Sequence, residues 1–93
     1  MDKAHLSALL TTAEAVEGKD GFWAIPEGKS ITLYVAHDGA SLSVSRTTAL
    51  KSADGVCYAR TAKGETYVLA EADVYAGAIE GGSTSTARKA GFI

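Results

Sequence analysis

The side chains able to do chemistry are few and scattered. His5, His37 and Cys57 are the only imidazole and thiol groups in the chain. A zinc site needs three or four ligands, and this trio follows no ligand spacing, so no metal is expected. Ser41, Ser43 and Ser45 follow the pair His37-Asp38, which supplies the residue types of a nucleophile, a base and an orienting acid. However, His37-Asp38-Gly39 has the composition of a hairpin turn, and the serines alternate along the strand that leaves it. No G-x-S-x-G elbow accompanies them. Hydroxyls on the wet face of a sheet account for all three. The glycines join strand to strand rather than strand to helix, so no phosphate loop is expected. No D-x-D-x-D-G run is present to hold calcium. The chain therefore reads as a non-enzyme without a cofactor.

The charged residues suggest contacts rather than catalysis. Arg46, Lys51, Arg60 and Lys63 fall within the central stretch, yet residues 21–80 carry five Lys and Arg against seven Asp and Glu. The whole chain has a formal net charge of −2. A general nucleic-acid binder usually shows the opposite balance. The basic pair Arg88-Lys89 lies near the C-terminus and is followed by Phe92 and Ile93. Residues 81–86, rich in Gly, Ser and Thr, have linker composition. A plain linker would not finish with two apolar residues after a basic pair. Residues 81–93 are read as a flexible tail carrying a docking peptide. Phe92 and Ile93 would be its anchors, with Arg88 and Lys89 steering it toward an acidic surface on a partner protein.

The elements that position these groups are mainly strands. Ile31, Leu33 and Val35 alternate with Thr32, Tyr34 and Ala36, the period of a β-strand. Asp38-Gly39 and Asp54-Gly55 are type I′ hairpin signals, and Lys63-Gly64 is a third turn. Between them lie strands with Leu42 and Val44 inward and Ser41, Ser43 and Ser45 outward, then Val56–Thr61, then Thr66–Ala70. Three turns at similar spacing predict an antiparallel meander. Both faces of its first and last strands carry apolar residues, which suggests burial on two sides or closure into a small barrel. Residues 22–25 are expected to form a strand against 30–37. Residues 74–79 fit either a last strand or a short helix, and Gly77 there would mark a bulge or a close backbone approach.

Before the meander, Asp2 can cap a helix over residues 3–17 ending at Gly18. Its apolar stripe is Leu6, Leu9, Leu10, Ala13 and Val16. The stripe would cover the sheet, and Leu6, Leu9, Leu10 and Val16 are also candidates for a self-association seam. Trp23 is expected in the core.

At 93 residues the chain has room for one domain, residues 1–80, with a small core that oligomerisation would help stabilise. One cysteine, placed in a strand, implies a buried thiol and a reducing, cytoplasmic setting. The N-terminus lacks signal-peptide order, and no run of eighteen apolar residues predicts a membrane span. The expected fold is α+β: an amphipathic helix packed on an antiparallel meander or open barrel of about five strands. That outline resembles Sm-like and SH3-like barrels, a resemblance that implies single-strand nucleic-acid binding as an alternative function. A small-ligand sensor is a second alternative, although Asp38-Gly39-Ala40-Ser41 lacks the Asp/Asn-x-Ser-x-x-Gly spacing of cyclic-dinucleotide receptors. The leading reading is a non-enzymatic interaction or scaffolding module that self-associates, with the tail docking on a partner.

Overall fold

The structure, a computed structural model, describes residues 1–81. They form helix α1 (Lys3–Thr12) and strands β1 (Val16–Glu17), β2 (Trp23–Ala24), β3 (Lys29–His37), β4 (Ala40–Ala53), β5 (Val56–Thr61), β6 (Thr66–Ala70) and β7 (Val74–Gly81). A single 3-10 turn, Glu71–Asp73, leads into β7. The class is the expected one: α+β, a helix on an antiparallel sheet curled into an open half-barrel. Residues 74–81 are strand, which settles the ambiguity of that segment.

Five strands run in the order β7-β3-β4-β5-β6, every neighbouring pair antiparallel. The turns follow from the dipeptides that make them. Asp38 and Gly39 both have positive φ (49° and 83°), as do Asp54 and Gly55 (52° and 79°). Type I′ turns require this, and their twist matches that of the flanking strands.

β4 makes the sheet curl. Its first part pairs with β3 through Ile31↔Thr47 and Leu33↔Val44, so three β4 steps oppose two on β3. Arg46 sits in this bulge with φ +55°. A second irregularity follows at once, where Thr47↔Thr61 and Ala49↔Arg60 flank Thr48. Two bulges in succession bend the strand and raise its twist. β4 can thus pair β3 at one end and β5 at the other. Past the end of β3, the same edge of β4 takes β2 through Trp23↔Leu50 and Ala24↔Ala49. Residues 22–25 were expected to pair with 30–37. Both edges of β3 are already filled by β4 and β7, so β2 goes to β4 instead.

The core lies inside the curl: Ile31, Leu33, Val44, Leu50, Cys57, Ala59 and Val74 are buried, and Leu6 and Leu10 of α1, with Ala13 at its C-cap, close over them. Trp23 is half-buried and packs against this cluster. Leu42, expected inward beside Val44, is 47 % exposed. It stands near the tip of the β3–β4 hairpin, beyond the reach of the core. β6 has a wet outer face, not two covered ones: Val68 is 65 % exposed while Tyr67 and Leu69 turn inward.

The Asp2 carboxylate caps α1, accepting from the His5 N–H at 2.9 Å. That bond holds the Asp2 carboxyl below its ordinary pKa. The helix ends at Thr12, five residues before the expected boundary. Glu14 takes φ +62°, its N–H donates to the Thr11 carbonyl, and the Ala15 N–H donates to the Leu10 carbonyl. This is the Schellman pattern that normally uses glycine. The left-handed residue is a glutamate here, so the stop had no glycine to announce it. Its side chain pairs with Lys29 Nζ at 2.6 Å, which lowers the Glu14 pKa and ties the helix end to β3.

Leu9, half-buried, lies across β7 at Gly77. A Cβ built on Gly77 would meet Leu9 Cδ2 at 2.6 Å and Cδ1 at 3.1 Å. The close approach expected at this glycine is therefore present, and its partner is the helix. Gly77→Val should cost about 1–3 kcal/mol by overpacking. Leu9→Ala, made in that background, should recover part of the loss. A double-mutant cycle by urea denaturation checks this, since independent sites would give additive effects.

Candidate interaction surfaces

The residues singled out for self-association are placed differently from one another. Leu6 and Leu10 face the sheet and are buried in the core. Leu9 covers Gly77 and keeps part of its surface. Val16 has left the helix and lies on β1, 67 % exposed. Arg88, Lys89, Phe92 and Ile93 lie outside the described residues, as does the tail beyond Gly81.

The sheet supplies a surface that residue patterns alone did not. Among the described residues, β6 pairs only with β5, and β7 only with β3. The hydrogen-bond phase of β6 follows from its two ends. The Thr61 N–H donates to the Glu65 carbonyl and the Glu71 N–H to the Gly55 carbonyl, both at 2.8 Å. In an antiparallel ladder bonded residues alternate. Tyr67 and Leu69 therefore bond inward to β5. Thr66 and Val68 direct both N–H and C=O to the open edge, and Ala70 its N–H, the Ala70 carbonyl being taken by the 3-10 turn that Ala70 caps.

The two edges differ in how they are guarded. β7 carries a bulge between Tyr34 and Val35 of its partner, where Tyr75 is extra, and it contains Gly77 and Glu80. β6 runs in unbroken register from Thr66 to Ala70, with no charge and no proline. Edge strands are normally protected by lysine, proline, bulges or a covering element. β6 has none of the first three. Its composition, Thr-Tyr-Val-Leu-Ala, was the available sequence signal, since a scan for unguarded β-rich windows detects it.

The outer face beside β6 continues the exposed surface. Val68 lies opposite Tyr58, and Val56 opposite Ala70. At the far side of this face Arg60 lies over the Phe22 ring at 4.1 Å and pairs with Asp20 at 3.8 Å. Lys51 approaches the Phe22 and Tyr58 rings at 5.7 and 6.0 Å. These two cations are engaged with aromatic faces and hold the loop before β2 against the sheet.

The candidate catalytic groups do not assemble. His37 Nδ1 lies 3.1 Å from Asp73 Oδ1, which fastens the hairpin tip to the 3-10 turn. Ser41, Ser43 and Ser45 are exposed along β4, with no hydrogen bond to His37 among the described residues. No group of three or more His, Cys, Asp or Glu side chains among them could hold a metal ion. No described helix is long and apolar enough to cross a membrane. No protein-family model, curated protein or solved structure matches the chain.

Cys57 is 2 % exposed beneath α1. Burial, with a smaller contribution from the Glu71 carboxylate, pushes its thiol up to about 11 from an ordinary 9.0. An unfolded chain releases this proton near 9 while the folded one keeps it to about 11. Between those values the unfolded state binds fewer protons, so stability must fall as pH rises. Below pH 9 the thiol adds no slope. Chemical denaturation of the wild type and Cys57→Ala across pH 8–11 should show an excess slope in the wild type alone, confined to that window.

Proposed function

We propose that the chain is a non-enzymatic interaction module that self-associates through β6, with its C-terminal tail docking on a partner protein. The unguarded edge of β6 carries this reading. Thr66 and Val68 present backbone donors and acceptors, and Ala70 a donor, with no described partner strand, and the adjoining outer face bears Val68, Val56 and Tyr58. A second copy of the same strand, running antiparallel, satisfies both sets of groups about a twofold axis. Such a contact is small, so the dimer is weak and concentration-dependent. The exposed Val16 and half-buried Leu9 lie outside this contact and would serve any further self-association. Phe92 and Ile93 anchor the tail, and Arg88 and Lys89 select an acidic surface. The single buried cysteine supports a reducing, cytoplasmic setting.

Val68→Pro separates association from folding. Proline removes the N–H that points to the open edge, and edge strands tolerate it there. Sedimentation equilibrium should show wild type moving from monomer to dimer with concentration. The variant should stay monomeric, with a melting temperature within a few degrees of wild type. A wild type that is monomeric throughout would refute association through this edge. For the tail, the full chain and a chain ending at Gly82 should dimerise alike, while only the full chain retains a partner protein from nuclease-treated lysate. Equal retention by both would refute docking by the tail.

A further inference from the structure

Two clefts meet at Ser43, one on the outer face of β3 and β4 and one at the corner where β4 bends toward the β5–β6 turn. One, of about 260 Å³, is lined by Tyr34, Tyr75, Ser41, Leu42 and Ser43. The other, of about 380 Å³, is lined by Ser43, Ser45, Arg46, Thr61, Lys63, Glu65 and Tyr67. Together they make a groove from β7, across β3 and the first part of β4, to the β5–β6 turn. Ser43 is the cross-strand partner of Tyr34, which fixes the join.

The two halves differ in chemistry. In the first, the Tyr34 and Tyr75 rings lie with centroids 6.3 Å apart, tilted by 39°, and Tyr75 is 64 % exposed. The two tyrosine rings form an apolar platform in water, the kind of surface on which a planar ring stacks. In the second, Arg46 and Lys63 make no ion pair among the described residues, in contrast to Lys29 and Arg60. Arg46 is held at the bulge in a left-handed conformation that glycine or asparagine would adopt with less strain. One carboxylate, Glu65, shares the cleft, with its Oε1 3.5 Å from the Tyr67 hydroxyl. Two cations against one carboxylate leave a single positive charge. That matches one phosphodiester better than the several charges of a di- or triphosphate. Serine hydroxyls between the halves can donate to phosphate or sugar oxygens.

We propose that this groove binds a short single strand of nucleic acid. A base stacks on Tyr34 and Tyr75, and the phosphodiester linking it to its neighbour lies against Arg46 and Lys63. This site shares Tyr67 with β6 but uses none of the backbone groups at that strand's open edge. The acidic balance of the chain as a whole argues against broad nucleic-acid affinity, and it confines binding to this one stretch.

The test is fluorescence anisotropy of the full chain with a labelled oligothymidylate of about eight nucleotides, titrated between about 50 and 200 mM salt. Saturable binding at the lower salt is expected. Lys63→Gln and Arg46→Asn, the latter compatible with positive φ, should each weaken it and make the log–log salt slope shallower by about 0.7. Tyr75→Ser should weaken binding about 5- to 150-fold and leave the slope unchanged. Lys3→Gln, a cation on α1 away from the groove, should change neither. Circular dichroism establishes that each variant is folded. The proposal is overturned if the strand fails to bind, or if Lys3→Gln weakens binding as much as Lys63→Gln. Competition by thymidine monophosphate as effective as that by the unlabelled strand would also overturn it, because the groove would then be a free-nucleotide site.

Discussion

The bend in β4 is the constraint on which the rest of the structure depends. A straight strand of fourteen residues could pair along its whole length with one neighbour and would leave a flat sheet. The bulge at Arg46 and the irregularity at Thr48 turn it instead. One half then belongs to the β3–β7 side and the other to the β5–β6 side. The enclosed angle is the core. Thr47, at the corner, is fully buried, and its hydroxyl donates to the Val44 carbonyl at 3.3 Å, so the turn leaves no unmet polar group there. Thr61 does the same for the next corner, accepting from the Lys63 and Glu65 N–H groups.

The curl has an open mouth, and α1 covers part of it. Leu6, Leu10 and Ala13 enter the core, while Leu9 reaches β7 at a glycine whose missing side chain makes room for it. The helix is held at both ends, by the Met1 ammonium before it, which donates to the Glu71 and Val74 carbonyls, and by the Glu14–Lys29 pair. The Glu14–Lys29 pair, with its carboxylate exposed to water, contributes little energy and mainly sets position. What α1 does not cover is the rim formed by β6. The same closure that completes the core thus leaves one strand edge with its hydrogen-bonding groups facing outward. A domain of this size has little core to lose, and pairing that edge with a second copy, as proposed, would add stability without a larger core.

Local signals in the sequence were legible and non-local ones were not. Both Asp-Gly turns were readable because two adjacent residues determine them, and β3 because its alternation is uninterrupted. The end of α1 was hidden because a glutamate, Glu14, occupies the position that glycine usually marks. The partner of β2 depends on which edges are vacant, a property of the whole sheet. The registers that β4 makes with β3 and β5 were obscured by an arginine in a left-handed bulge, which breaks the period of two at residues 45–47. Leu42 obeys the alternation yet faces water, since alternation fixes a face and not whether anything covers it. The groove joins Tyr34, Ser43, Lys63 and Tyr75, residues brought together only by strand order. No spacing rule could have connected them.

The central claim is that the open edge of β6 is where two copies meet. Amide hydrogen exchange, read residue by residue at a low and a high protein concentration, tests it most directly. Tyr67 and Leu69, bonded to β5, should be protected at both concentrations. Thr66, Val68 and Ala70 should exchange fast when dilute and gain protection as concentration rises. Protection of these three that does not depend on concentration would mean that the edge is already covered within one chain. Fast exchange at every concentration would mean that it is left open. Either result contradicts the account.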